Sequence, residues 1–271
     1  MKMKQIIQST NFPRTKSSLI RDLKELGVKK RMTLIVHSSL KSIGWTVGGA
    51  GAVVEALMDI VTEEGTIVMP AHSGDLSDPS HWQNPPVPES WWQTIKDEMP
   101  PFNPDTTPTW FMGQIADMFR CYPGVKRSNH PTLSFAAWGN KRDEILNDHA
   151  YDLGLGEESP LSRIYDVNGL VLLLGVGYDS NTSMHLAEHR APGLELEWSG
   201  SPVMENGKRI WKSYKRGVYA DDLFPKIGQA FEQSYDVHKG KIGSADSVLM
   251  NQRELVDFTE SWLRNYYQKN S

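Results

Sequence analysis

A chain of 271 residues, 39% hydrophobic and 23% charged, carries enough apolar material for one large core, so residues 1–271 are expected to form a single domain. A formal net charge of -4 and a pI near 6.1, with acids and bases interspersed, speak against a nucleic-acid-binding surface. Cys121, the single cysteine, rules out an intramolecular disulfide and a cysteine-based zinc site, and the longest apolar run falls far short of the roughly 20 residues a membrane helix needs. With charge but no apolar signal core in the first residues, the expectation is a soluble cytoplasmic protein without nucleic-acid or membrane partners.

Thr15 opens a helical pattern with Leu19, Leu23 and Leu26 on one face and Gly27 at the C-terminal cap position. A β-prone run at 32–36 feeds a small-residue loop at 37–44, then Gly48-Gly49-Ala50 and a helical pattern through Val53, Val54, Leu57, Met58 and Val61. Strand, small-residue loop and helix in that order can point backbone N–H groups and hydroxyls at an anion. Neither the Walker nor the dinucleotide glycine spacing is present, and an ordinary tight connection fits the same residues. Residues 65–70 read as a second buried strand. The long, proline-rich stretch at about 71–108 reads as a substrate-binding excursion, and Trp82, Trp91, Trp92 and Trp110, in or beside it, as the wall of a ligand cleft. A helix at 109–121, a strand at 132–138, a surface helix at 140–149 and a short helix opened by Ser159-Pro160 follow.

The most apolar run, 169–176, suits a strand buried on both faces, and Ser180 or Asn181 is a suitable N-cap for the next helix. That places His185 one turn into the helix, with His185, Glu188 and His189 at i, i+3 and i+4 on one face. Imidazole and carboxylate so spaced can share a proton or a metal, although a structural histidine beside a solvated glutamate has the same spacing. Residues 195–204 and 209–214 flank Asn206-Gly207, a hairpin signal, giving an antiparallel appendage at about 195–216. A helix at 221–234, capped by Asp221 or Asp222 with Pro225 in its first turn, one or two strands at 236–250 and a helix at 252–267 complete an α/β chain with a mixed sheet.

Four segments together resemble the aminoglycoside 3-N-acetyltransferase family: V-H-S-S-L-K-S-I-G at 36–44 with Gly48-Gly49, R-S-N-H-P at 127–131, G-L-G-E-E-S-P-L at 154–161, and L-L-L-G-V at 172–176 with N-T-S-M-H-L-A-E at 181–188. They run in the family's order over nearly the whole chain. The resemblance implies a three-layer α/β/α fold with a mixed, mostly parallel sheet and a smaller antiparallel appendage after the central helix. It also implies acetyl transfer from acetyl-CoA to an amine with His185 at the reacting centre, where an imidazole suits the role of general base; no metal is expected, and with neither Cys121 nor a nucleophile-elbow serine placed for acylation, no covalent enzyme intermediate. Glu188 is the acid nearest in sequence, but the family's pattern implies an Asp after the Trp-Lys of the hairpin. Here Trp211-Lys212 is followed by Ser213, Tyr214, Lys215 and Arg216, leaving Asp221 and Asp222 as the nearest substitutes. Glu188 and Asp222 therefore both stand as partners for His185.

For the coenzyme, the candidates are Ser38, Ser39, Leu40 and Lys41, the amides of Val47, Gly48 and Gly49, Ser73, and Arg127 with Ser128 for the 3′-phosphate. Loop amides, or the Ser and Thr hydroxyls near Ser73 or Thr182, could serve an oxyanion hole, and the sequence does not choose among them. For a small-molecule amine acceptor of aminoglycoside type they are Asp75, Trp82, Glu157, Asp179 and Asn181. A homodimer is compatible with all of this. Three rivals remain: an acyltransferase of the same fold with a non-antibiotic acceptor, a non-catalytic CoA-binding relative, and a zinc peptidase reading of the H-x-x-E-H at 185–189.

Overall fold

The computed structural model describes residues 3–219 and 221–270. In chain order the helices are α1 (Met3–Ser9), α2 (Lys16–Leu26), α3 (Leu40–Ile43), α4 (Gly49–Val61), α5 (Trp92–Glu98), α6 (Gly113–Phe119), α7 (Arg142–Leu146), α8 (Pro160–Asp166), α9 (Met184–Arg190), α10 (Phe224–Ser234) and α11 (Gln252–Asn270). The strands are β1 (Thr33–Ser38), β2 (Thr66–Pro70), β3 (Lys126–Arg127), β4 (Phe135–Gly139), β5 (Leu170–Leu174), β6 (Glu195–Glu205), β7 (Lys208–Val218), β8 (His238–Ile242) and β9 (Ala245–Asn251).

Seven strands form one sheet in the order β3-β4-β2-β1-β5-β9-β8. The central β2, β1 and β5 pair in parallel, and antiparallel partners extend both edges, so only β4 and β9 run against the other five. Alternation along the strands divides the core. Leu34, Val36, Ile67, Met69, Leu172 and Leu174 meet α2, α4 and α6 on one face. Ile35, Val68, Val171 and Leu173 meet α8, α9, α10 and α11 on the other. The result is the expected α/β/α layering. Among the described residues no helix is long and apolar enough to cross a membrane.

Local chemistry sets several boundaries as the sequence predicts. Thr15 caps α2 in a reciprocal capping box with Ser18, and Gly27 ends it at φ 108°. Asn206 and Gly207 both take positive φ in the two-residue loop joining β6 to β7, the backbone a tight hairpin turn requires. The hairpin is fixed to the body through the buried Tyr214 hydroxyl, which bonds Ser201 Oγ at 2.8 Å and Thr132 Oγ1 at 3.2 Å. Other boundaries move. The helix expected at 109–121 shrinks to α6 because Phe111 and Gly113 both have positive φ. The excursion at 71–108 contains α5. Leu223, rather than Asp221 or Asp222, occupies the N-cap of α10, after a turn of 3-10 helix.

Candidate active site

From β1 the chain steps to β2 on one side and later to β5 on the other, so the strand order reverses at β1. The crevice beyond the carboxyl ends of such strands is where open α/β sheets bind ligands. A cavity of about 500 Å³ lies there. Ser38, Ser39, Leu40 and Lys41 line it after β1, residues 111–114 before and into α6, and Val176, Asp179, Ser180, Thr182 and His185 between β5 and α9. His37 and His72 complete its wall.

Helix α9 starts later than the sequence suggests. Residues 181–183 form a turn in which Met184 N–H reaches Asn181 O at 3.1 Å, so Ser183 is the N-cap and Asn181 Oδ1 accepts from Ser183 N–H at 3.2 Å. His185 therefore lies in the first turn. Its Nδ1 is 2.5 Å from Glu188 Oε2, the carboxylate one turn on and only 5% exposed. The imidazole is wedged against Tyr219 and Phe224, with ring centroids 4.4 and 4.9 Å away. With Nδ1 committed to Glu188, Nε2 is the nitrogen left for the cavity.

This geometry selects the acid. Glu188, not Asp222, partners His185, because the i, i+3 spacing fills Nδ1 from within α9, whereas Asp222 is exposed in the turn before α10. His189 is turned elsewhere: its Nε2 meets the Tyr219 hydroxyl at 3.1 Å, and burial, with His185 adding, takes its pKa down to about 4. Burial, reinforced by the Glu188 carboxylate, pushes the Tyr219 phenol upward. Among the described residues no group of three or more His, Cys, Asp or Glu could surround a metal ion.

The coenzyme candidates divide. Residues 38–41 line the cavity, with Ser42 Oγ donating to Ser39 Oγ at 2.9 Å. Val47, Gly48 and Gly49 do not. Val47 N–H is bonded to Arg14 O at 2.8 Å and Gly49 N–H to Thr46 O at 3.0 Å, so the turn consumes amides assigned to a pyrophosphate. The Arg127 side chain is engaged within the protein as well. Its guanidinium donates to the Ala71 and Thr107 carbonyls, to Ser73 Oγ at 2.7 Å and to Ser134 Oγ at 2.9 Å, and lies 5.0 Å from the Phe102 ring centroid. It ties both ends of the 71–108 excursion to β3. Burial, with Arg120 adding, draws its pKa down to about 10. Ser73, fully buried, donates to Pro108 O at 2.6 Å, and Ser128, 2% exposed, bonds His149 Nδ1 at 2.9 Å, so both hydroxyls serve the framework.

Of the acceptor candidates, Asp179 lines the cavity and the fully buried Asn181 lies between two lining residues, with Nδ2 unpartnered. Asp75 is half-buried outside the lining, and burial raises its pKa. Trp82 donates its indole N–H to Ser77 Oγ at 3.0 Å, and Glu157 is held by two bonds to Arg190 at 2.7 and 3.0 Å; neither faces the cavity. Trp91, Trp92 and Trp110 do not line it either. The aromatic there is Phe111, 88% exposed at φ 57°. Sequence reasoning passed over it with His37 and His72. For His37 the available signal was a polar residue ending an otherwise apolar buried strand.

An α/β/α protein with a carboxylate-paired histidine beside a crevice at the strand switch has the arrangement of an enzyme that binds a small substrate there. The chain belongs to the aminoglycoside 3-N-acetyltransferase family, whose model matches residues 35–264, and with it to the acetyl-CoA-dependent acyltransferases. It is 54% identical over 269 residues to the SPbeta prophage-derived aminoglycoside N(3')-acetyltransferase-like protein YokD of Bacillus subtilis (strain 168), covering 99% of each chain. The crystal structure of YokD matches with a TM-score of 0.97, over 99% of this chain and 100% of that one. AAC-IIIb in a binary complex with CoASH matches at 0.84 with 30% identity, over 94% and 98% of the two chains. AAC-VIa bound to sisomicin matches at 0.85 with 28% identity, over 94% and 99%.

Proposed function

We propose that the protein transfers acetyl from acetyl-CoA to an amino group of an aminoglycoside or similar amine-bearing acceptor, with His185 as general base. The observation that carries this reading is the 2.5 Å bond from buried Glu188 to Nδ1 of His185, a residue that lines the same cavity as residues 38–41. His185 Nε2 takes the amine proton as the nitrogen attacks the thioester carbonyl, then returns it to the departing thiolate. Glu188 holds the ring in one orientation and offsets the transient imidazolium. The hydroxyls of Ser38 and Ser39 and the Lys41 ammonium suit the pantetheine and phosphates of the coenzyme. Transfer is direct, because Cys121 is exposed and does not line the cavity. The relatives with CoASH and with sisomicin support both substrate classes.

One observation favours a second reading, an acceptor carrying fewer cations. Among the described residues Asp179 is the carboxylate lining the cavity, while Glu157 is bound to Arg190, Asp78 to Lys96 at 2.6 Å, and Glu188 to His185. A thiol-release assay with acetyl-CoA against aminoglycosides and simple amines separates the two. Turnover confined to simple amines selects the second. With whichever acceptor turns over, His185→Gln is expected to lower kcat by about 100-fold or more, and an unchanged kcat removes His185 from the mechanism.

A further inference from the structure

The cavity holds a feature that general base catalysis leaves unused. His37 and His72 present their Nε2 atoms to a buried environment without any hydrogen-bond partner, in the cavity His185 also lines. Buried polar atoms in folded proteins are nearly always paired, and an exception at a ligand site points to a partner supplied by the ligand.

The sheet explains how these rings meet. Along β1, Leu34 and Val36 face the α2, α4 and α6 layer, and Ile35 faces the layer that contains α9. Parity sends His37 to the α9 side, opposite Leu173 of β5, where the strand ends. In β2, Val68 faces the same layer, and the same alternation carries His72, just beyond Pro70, to that side. The carboxyl ends of two adjacent parallel strands thus bring two imidazoles toward the helix that carries His185.

We infer that His37 is a second catalytic residue: its Nε2–H donates to the acetyl-CoA carbonyl oxygen and to the oxyanion that forms there. The inference rests on the acyl-transfer reading above. In the step it serves, the amine nitrogen bonds to the carbonyl carbon, and the C=O electron pair moves onto oxygen within reach of His37. His185 takes the proton lost by nitrogen. The carbonyl then re-forms, the C–S bond breaks, and the thiolate leaves with that proton as CoASH. His37 keeps its own proton throughout.

The electrostatics suit a donor. His37 is 6% exposed, and burial, with His185 adding, holds its pKa down at about 3, so the ring is neutral at physiological pH. A neutral imidazole polarises a carbonyl without giving up a proton and without a cation beside the imidazolium that forms on His185. His37 is chosen over His72 on position. It adjoins Ser38 and Ser39 and, near the end of β1, lies opposite Leu173 of β5, the strand that leads into α9. His72 packs edge-on against Phe135 at 5.4 Å and feels His149 and Arg127 as well as His185, toward β4 and one strand further from β5 than His37.

The test uses the full chain with acetyl-CoA carrying a 13C carbonyl. Bound to the wild type without acceptor, its carbonyl stretch is expected at lower frequency than in water; in His37→Leu the lowering disappears, and in His37→Gln, which keeps an N–H donor, it persists. With an acceptor, His37→Leu is expected to lose about 100- to 1,000-fold in kcat with little change in the KM for acetyl-CoA, and His37→Gln to recover much of it. No lowering in the wild type overturns the inference even if His37→Leu fails to fold. So does a kcat loss larger in His72→Leu than in His37→Leu, or a loss in His37→Leu that appears wholly in KM. A wild type that binds acetyl-CoA but acetylates no amine overturns the acyl-transfer reading itself, and this inference with it.

Discussion

Replacing Glu188 with Gln isolates what the carboxylate charge contributes. The two side chains are nearly the same size, and an amide oxygen can still accept from His185 Nδ1–H, so packing around a side chain only 5% exposed is retained. What is lost is the negative charge 2.5 Å from the ring at the moment the ring becomes cationic. Hydrogen bonds to charged groups contribute about 1.5–3 kcal/mol, and about 1.4 kcal/mol corresponds to tenfold in rate, so kcat is expected to fall by roughly 10- to 150-fold. Because the charge matters only when the imidazolium forms, the KM for acetyl-CoA is expected to stay close to wild type. Steady-state thiol release with wild type, Glu188→Gln and Asp222→Asn checks this, the last being an exposed acid expected to have no effect. A Glu188→Gln enzyme at wild-type kcat, or one impaired only in KM, would refute the argument that this bond orients and stabilises the base.

Two further predictions concern the frame around the site. Arg127→Ala removes bonds to the Ala71 and Thr107 carbonyls and to Ser73 and Ser134, and is expected to cost about 2–4 kcal/mol of stability and to speed proteolysis within 71–108. CoA affinity of the folded variant should change little; calorimetry showing a large loss of affinity at unchanged stability would return Arg127 to the coenzyme site. His130 is fully buried, accepts from Thr132 and Leu133 N–H at Nδ1, bonds Tyr151 O through Nε2, and is held by burial at a pKa of about 3. Above pH 6.5 the imidazole is neutral in both states and stability does not depend on it. As pH falls below 6.5 the unfolded chain takes a proton the folded chain refuses, so by pH 5 about 2 kcal/mol is lost, and losses continue toward pH 3. His37 and His189, held down by burial in the same way, add to this loss, so urea unfolding at pH 7.5 and 5.0 is expected to show at least that difference, and equal stability at the two pH values would refute it.

What the sequence could and could not reveal follows the range of the interactions. The hairpin was legible because Asn206-Gly207 contains its own requirement for positive φ, and α2 because Thr15, Ser18 and Gly27 cap it from within. His185 and Glu188 were legible as a pair because i, i+3 geometry is a property of any helix. Residues 38–41 stayed together for a similar reason: one short connection carries them all. Arg127 could not be read this way. Its partners at Ala71, Ser73 and Thr107 come from the far side of the excursion, and a Lys-Arg-Ser turn looks the same whether it meets a phosphate or its own chain. The amides at 47 and 49 were equally ambiguous, because glycines that fit an anion-binding turn also fit a turn that bonds within the chain, as these two amides do.

The acceptor's charge was the least legible property, for a physical reason. A carboxylate attracts a polycation only if no nearer cation claims it, and Glu157 is claimed by Arg190, 33 residues away, and Asp78 by Lys96 across the excursion. Counting acids in loops near the cleft therefore overstates its field. His37 errs the other way: as one residue in a hydroxyl-rich motif it carries no visible role, and only the parity of β1 and the order of the sheet bring its ring, with a buried unpartnered nitrogen, to the wall of the cavity that His185 also lines. Acceptor specificity in this chain is accordingly expected to depend on Asp179, Asn181 and the strained, exposed Phe111 at the cavity wall more than on net acidity.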